Sequence, residues 1–432
     1  LDLRGVDVAT VALPRPPSGT EDGAEPLAAV RSIIAEVRAG GDAALLDLTE
    51  RFDGVRLDAL TVPAEQLTAA LAAQPADVRA ALEAAAAGVE AFHRTQLVPD
   101  HVHERDGFRI VSRHVPVDRA GCYVPGGRAR YPSTVLMTAV PARVAGVPEV
   151  VLCVPPGPDG RVPEVTLAAA AVAGVDAVHP VGGAQAVAAL AYGTESIRPV
   201  DVIAGPGNVY VAVAKQEVAG DVGVAAAFAG PSEIVVVADA SVDPSFAAVD
   251  VIVQAEHGPG GLAWLITDDE QVAKAITAEL ERLVEAAPRR ADIEATLDGG
   301  GYVVLVDDLE AAITVANRIA PEHLQLMVED PAVLAAHVRH AGAVFLGPLA
   351  PASLGDYVAG PSHVLPTAGT ARFAGALTVA DFQKALHVVE VTPEGFAAAA
   401  PHVAALATAE GLEEHARSVT LRLDALSAEG AS

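Results

Sequence analysis

The feature that most constrains this chain is the alternation, from Glu149 onward, of short β-branched runs with alanine-rich helical stretches. Glu149–Val154 reads as a strand, and Pro163–Ala173 as a helix that Gly174 stops. Asp176–Val181 is a second strand, followed by a helix from about Gly183 to Tyr192. Val200–Ala204 is a third, turned by Gly205-Pro206-Gly207-Asn208 into a helix ending near Gly220. A second run follows at once, with strands at Glu233–Asp239, Leu262–Thr267, Gly301–Val306, Leu324–Val328 and Ala343–Leu346. Between them lie helices at Pro244–His257, Asp269–Ala287, Asp308–Ile319 and Pro331–His340. Strands joined through helices belong to parallel sheet, so the chain is predicted to be α/β, with two consecutive doubly wound modules.

The ends read differently. The first hundred or so residues are predicted helical, with Val78, Leu82, Val89 and Phe92 recurring near helical spacing behind Pro75-Ala76-Asp77. After Pro348 the order gives way to Gly- and Pro-rich loops, and a helical tail runs from about Pro393 to Leu426. Such a tail cannot bury both its faces alone and is expected to pack on another module or subunit. A length of 432 residues suits about three domain-sized units. With 51 % apolar residues the chain is no disordered polymer, and a net charge of −28 argues against non-specific nucleic-acid binding. Neither a membrane-spanning apolar run nor the apolar core of a secretory signal is evident, and Cys122 and Cys153 are too few for a disulfide framework. The expectation is a soluble, cytoplasmic protein.

Ligands of parallel sheets bind outside the carboxyl ends of the strands, which directs attention to the loops there. Gly205-Pro206-Gly207-Asn208-Val209-Tyr210 has the first two glycines of a dinucleotide fingerprint, with Tyr210 in place of the third. Gly182-Gly183-Ala184-Gln185 repeats the arrangement one unit earlier. Together they make a phosphate cradle of backbone N–H groups at helix starts, or simply two tight strand-to-helix turns. Gly121-Cys122-Tyr123-Val124-Pro125-Gly126-Gly127 adds a third, where Tyr123 could stack on a flat ring. Gln254 and His257 share one helix face, Asp356 and His363 flank the breaker Gly360-Pro361, and Glu410 and His415 stand five apart. Glu322-His323 places an acid and a base at the mouth of a strand. For any one such pair the plain alternative is a surface or satisfied core histidine. Cys122 is a candidate thiol nucleophile or, more simply, a small buried core residue.

Over nearly its whole length the chain resembles the histidinol dehydrogenases. The blocks that carry the resemblance are Tyr123–Gly127, Ser133-Thr134-Val135-Leu136-Met137, Val181–Ala188, Gly205–Asn208 and Ala229-Gly230-Pro231-Ser232-Glu233. They continue with Gln254-Ala255-Glu256-His257-Gly258-Pro259, Pro321-Glu322-His323-Leu324, Gly355-Asp356-Tyr357 and His363–Thr367, then Asp381–Lys384, Glu410–His415 and Val419–Arg422. The resemblance implies a homodimeric, zinc- and NAD-dependent oxidation of L-histidinol to L-histidine. It implies Gln254, His257, Asp356 and His415 as zinc ligands that also meet the substrate. Ser232, His323, His363 and Glu410 become substrate contacts, Glu322 and His323 the catalytic acid–base pair, and Tyr123, Gln185 and Asn208 NAD contacts. The implied fold is two Rossmann-like modules, one inserted in the other. The first spans 1–120 and 231–375 with the N-terminal helices, and the inserted NAD-side module spans 121–230. The tail, 376–432, reaches into the partner's site.

These residue types suit the reaction. His323, expected neutral at working pH, can take the hydroxyl proton of the alcohol, and Glu322 can activate the water that hydrates the aldehyde. Two imidazoles, one carboxylate and one amide oxygen form an N/O set that suits Zn²⁺. Ala226-Ala227-Phe228 and Pro361-Ser362 depart from the residues usual in the family beside the site. The alternatives are a related zinc- and NAD-linked dehydrogenase of another polyol or amino alcohol, and a metallohydrolase using Glu322.

Overall fold

The strands are, in chain order, β1 (His101–Arg105), β2 (Phe108–Pro116), β3 (Arg119–Tyr123), β4 (Glu149–Cys153), β5 (Ala177–His179), β6 (Val202–Ala204), β7 (Gly223–Val224), β8 (Glu233–Ala238), β9 (Leu262–Thr267), β10 (Gly301–Leu305), β11 (His323–Met327), β12 (Ala343–Leu346) and β13 (Gln383–Val391). The computed structural model describes residues 1–14, 24–126, 130–225, 231–258 and 260–429. Gly127, Ala226-Ala227-Phe228, Ala229, Gly230 and Pro259, singled out above, lie outside the described residues.

Two five-stranded parallel sheets carry the same winding, β5-β4-β3-β6-β7 and β10-β9-β8-β11-β12. In each, the chain moves outward on one side of its first strand and then crosses to the other, leaving a switch point between β3 and β6 and between β8 and β11. The central strands β3, β8, β9 and β11 are buried at every position, as parallel sheets covered on both faces require. β3 and the helix Pro132–Val144, which the sequence pattern did not announce, complete the first sheet, and the helix Arg290–Gly300 was equally silent.

The helices Ala24–Asp53, Ala64–Ala73 and Ala76–Arg94 pack with the first sheet. Val30, Val37, Leu45 and Leu48 share a core with Val187, Leu190 and Val211, while Leu67, Leu82 and Val89 join Val135 and Leu167. These helices therefore bury their apolar faces on the helices of the first sheet. Only the extreme N-terminal segment serves the second, where Asp2 bridges Leu305 and Leu3 enters the core around Val304 and Ile313.

The chain divides into two compact units, Leu1–Gln96 with Val117–Phe382, and Leu97–Pro116 with the residues from Gln383 onward. The second unit holds an antiparallel sheet, β1-β2-β13, and the helices Pro393–Ala409 and Glu413–Glu429. The two helices match the expected tail; the sheet was not expected, since Gln383–Val391 falls in the stretch read as Gly- and Pro-rich loops and 101–116 carries no strand assignment. β1 and β2 are joined by Asp106-Gly107 with φ of 51° and 80°, the left-handed pair that a two-residue hairpin demands. Among the described residues no helix is long and apolar enough to cross a membrane.

Trp264, 1 % exposed, lies against Tyr302 of the neighbouring strand with ring centroids 4.4 Å apart. Trp264→Ala should cost about 3–5 kcal/mol of stability, read as a lower urea midpoint at unchanged slope. A midpoint within error of the wild type would mean that this contact does not organise the second sheet.

Candidate active site

Glu322 and His323 stand where β11 begins, and Glu233 where its parallel neighbour β8 begins. The pair thus lies at the amino edge of the second sheet, not outside the carboxyl ends where parallel sheets usually bind. The left-handed Ala320, φ 52°, ends the helix Leu309–Ile319 and turns the chain into Pro321-Glu322-His323. Glu233 then fixes both residues through its backbone: its N–H donates to Glu322 Oε2 at 2.9 Å, and its carbonyl receives His323 Nδ1 at 3.2 Å. A carbonyl only accepts, so Nδ1 carries the proton and Nε2 is the nitrogen left for proton exchange. The Glu233 carboxylate accepts the Ala368 N–H at 3.0 Å and so ties in the loop that follows His363.

His323 is 3 % exposed and stacks on Phe345 of β12 at 6.0 Å. Its Nδ1 lies 3.5 Å from Glu322 Oε2 and its Nε2 3.4 Å from Asp356 Oδ1, within ion-pair range but off the line of a hydrogen bond. Burial disfavours the imidazolium, but the Glu322 and Asp356 carboxylates outweigh it and raise the ring to about 10. Asp356 reaches this place because Gly355, in the short helix Ala352–Tyr357, packs against Phe345; a Cβ there would lie 2.6 Å from the ring. Burial alone would raise Asp356, and the neighbouring His323, His363 and His257 rings draw it below the usual carboxylate range.

Gln254 ends the helix Pro244–Ala255, which runs back to the amino edge of the sheet, and its Nε2 faces Asp356 Oδ2 at 3.5 Å. His257, exposed, has Nδ1 3.3 Å from the Gln254 carbonyl, which leaves Nε2 pointing elsewhere. Among the described residues no group of three or more His, Cys, Asp or Glu side chains gathers as a metal site. Three donors of suitable chemistry (an amide, an imidazole and a carboxylate) do cluster here, with the imidazole held by a carbonyl as metal-binding histidines are. Ser232 is half-buried beside Glu233, its carbonyl accepting from Leu262 N at 3.1 Å. His363 donates from Nδ1 to the Asp356 carbonyl at 2.9 Å and takes the Thr134 hydroxyl on Nε2 at 3.1 Å. Its burial lowers the ring, against a smaller opposing effect of Asp356. Glu410 and His415 belong to the second unit, at the turn between its two helices, and both are exposed.

The glycine turns lie at the carboxyl edge of the first sheet. Tyr123, the last residue of β3, is 3 % exposed and its hydroxyl accepts the Gly183 N–H at 3.1 Å. No ring face is open for stacking. Gln185 is buried in the first turn of the helix Gly183–Tyr192, and the exposed Asn208 caps the next helix through Val211 N at 3.1 Å. At Gly205, φ 113°, a Cβ would collide with the Tyr123 carbonyl, so protein packing alone demands this glycine. The structure adds a residue that sequence reasoning passed over: Lys215, 1 % exposed, donates to the Gly205 carbonyl at 2.8 Å from beneath the turn. Burial lowers it to about 8. Its only sequence signal was a lysine directly after the apolar run Val211–Ala214. Cys122 and Cys153 are free and buried, and burial pushes both thiols up to about 12, which removes the nucleophile reading.

Two doubly wound parallel sheets thus carry a buried glutamate–histidine pair at the amino edge of the second. The sequence profile of the histidinol dehydrogenase family matches residues 17–423. Histidinol dehydrogenase from Synechococcus sp. is 50 % identical over 402 residues, 92 % of each chain, and that of Ruegeria pomeroyi 48 % identical over 429 residues, 99 % of each. The crystal structure of histidinol dehydrogenase from Elizabethkingia anophelis superimposes with a TM-score of 0.88 at 32 % identity, covering 98 % of this chain and 96 % of that one. The chain belongs to the histidinol dehydrogenase family, a family of oxidoreductases.

Asp250 lies one turn before Gln254, 3 % exposed, and burial raises it to about 6. Its folded value exceeds the ordinary 3.8, so it weakens the fold increasingly as pH rises from 3.8 to 6, and fully above. Asp250→Asn should therefore be more stable than the wild type at pH 7, by on the order of 2 kcal/mol, with the advantage vanishing toward pH 4. A difference independent of pH in denaturant titrations would show that the carboxyl is not strained by burial.

Proposed function

We propose that this chain oxidises L-histidinol to L-histidine in two successive steps through histidinaldehyde, using two NAD⁺ and a divalent cation, in the cytoplasm. The single observation that carries the reading is the junction of Glu322, His323 and Asp356 held on the Glu233 backbone, in a chain of this family. Gln254, His257 and Asp356 would hold the cation, with His415 as fourth ligand. When bound, the cation supplies an electrophilic anchor for the imidazole and amine of the substrate, and the nicotinamide accepts the hydride.

The remaining work falls to the chain itself. His323 receives the hydroxyl proton at Nε2, since Nδ1 is engaged by Glu233. Glu322 and Asp356 flank the ring and raise its basicity. Glu322, oriented by the Glu233 N–H, takes a proton from the water that adds to the aldehyde while protonated His323 returns its proton to the carbonyl oxygen, and the emptied His323 then accepts the hydroxyl proton of the resulting hydrate. Ser232, His363 and Glu410 position the substrate, and Gln254, His257, His323, Asp356 and His415 bound it as well. Tyr123, Gln185 and Asn208 shape the NAD side by ordering the glycine turns. The module 121–230 is read as an insertion, which is supported by the N-terminal segment meeting β10 before the chain enters the first sheet. A homodimer with exchanged tails is supported by exposed Val389, Leu406 and Leu421 on the unit that carries Glu410 and His415.

NADH formed per histidinol consumed tests the reading, with chelator-stripped and zinc-restored enzyme side by side. A yield of two that disappears on stripping and returns with zinc is expected. A yield of one removes the second step, and a yield insensitive to stripping removes the cation. Glu322→Gln should slow oxidation of supplied histidinaldehyde by roughly 10²-fold or more while hurting alcohol oxidation less. Equal losses in both half-reactions would deny Glu322 its part in water activation.

A further inference from the structure

The helix Pro132–Val144 carries a proline in its interior, Pro141. A proline has no N–H, so the carbonyl four residues earlier, Met137, is left without its helical donor. The Ser362 hydroxyl donates to that carbonyl at 2.9 Å and, on its other side, accepts the Val364 N–H at 3.2 Å. Ser362 is 2 % exposed, so this is a built contact and not a surface encounter. One turn nearer the helix start, the Thr134 hydroxyl, likewise 2 % exposed, meets His363 Nε2 at 3.1 Å. The other ring nitrogen donates to the Asp356 carbonyl at 2.9 Å. Two adjacent residues of one loop are thus fastened to two positions of one helix, and that helix follows the central strand of the first sheet.

We propose that Thr134 and Ser362 are positioning residues, which together with the carbonyl freed by Pro141 clamp His363 in one orientation and in its Nδ1–H tautomer. The loop bearing His363 hangs from the second sheet, through the Ala368 N–H on Glu233, while the clamp hangs it from the first. The clamp therefore registers the two sheets against each other at the residue that meets the substrate. A hydroxyl at 362 suffices because it is donor and acceptor at once: one hydrogen fills the gap left by Pro141, and one lone pair stops the loop backbone at Val364. The inference rests on the reading of His363 as a substrate contact.

The experiment is steady-state kinetics on Thr134→Val, Thr134→Ser, Ser362→Ala and Pro141→Ala holoenzymes, with side-chain ¹⁵N spectra of the histidines. Thr134→Val should raise KM for histidinol roughly tenfold with little change in kcat or in KM for NAD⁺, and Thr134→Ser should restore it. In the spectra the Thr134→Val enzyme should lose the single signature of a protonated Nδ1 and bare Nε2 at His363. Ser362→Ala and Pro141→Ala should act alike and not add, because each removes the same bond. Unchanged KM together with an unchanged His363 signature in Thr134→Val would overturn the clamp, as would full additivity of Ser362→Ala and Pro141→Ala. His363→Ala separates the two readings. If it leaves KM for histidinol unmoved, the substrate contact is wrong, while the ¹⁵N signature in Thr134→Val still judges the clamp.

Discussion

Everything at this site depends on one parallel pairing, that of β8 with β11. Its register sets His323 beside Ile234 and so brings the Glu233 peptide groups to Glu322 and His323 across 89 and 90 residues of chain. Backbone groups cannot rotate away as side chains do. Donor and acceptor therefore arrive already oriented, without rotamer entropy to lose on reaching the reactive geometry. The register is fixed in turn by packing: a slip of one residue would carry Leu324 and Leu326 to the face that buries Ile234 and Val236 and put His323 and Gln325 in their places. Stability of the second sheet and alignment of the acid with the base are the same physical fact.

That dependence explains why the site sits on the less usual edge. Helices that follow parallel strands return antiparallel, so their carboxyl ends lie at the amino edge of the sheet. Gln254 arrives there on such a helix, as does the chain leaving Ile319 for Glu322. The His363 loop faces the same edge and is fastened to a helix beginning at the carboxyl edge of the other sheet. The site therefore lies between the carboxyl edge of one doubly wound sheet and the amino edge of the next.

Much of this was legible in the sequence where periodicity is strong. Strands such as Leu262–Thr267 and helices such as Pro244–Ala255 were marked within a residue or two by continuous apolar runs and by Gly, Pro and Asp at their ends. The hairpin β1–β2 was missed although Asp106-Gly107 announces it, because its strands are exposed and carry little apolar alternation. The glycine turns suggested a phosphate cradle, yet Gly205 is required by the Tyr123 carbonyl, and no spacing rule separates those causes. The partners Glu233, Thr134 and Lys215 escaped notice because they act at long sequence separation and belong to no catalytic spacing. The side of the sheet was misjudged because a rule drawn from strand ends says nothing about an acid that enters with the preceding helix.

The electrostatics give the site its remaining logic. Glu322 and Asp356 bring two carboxylates to His323, and one imidazolium can balance only one of them. Glu233 meets the Ala368 N–H and Glu322 the Glu233 N–H, while Asp356 leans on the rings of His323, His363 and His257. Buried charge on this scale is costly unless paired, and the pairing here is weighted toward the negative side. The rings of His323, His363 and His257 are what offset the burial of Asp356.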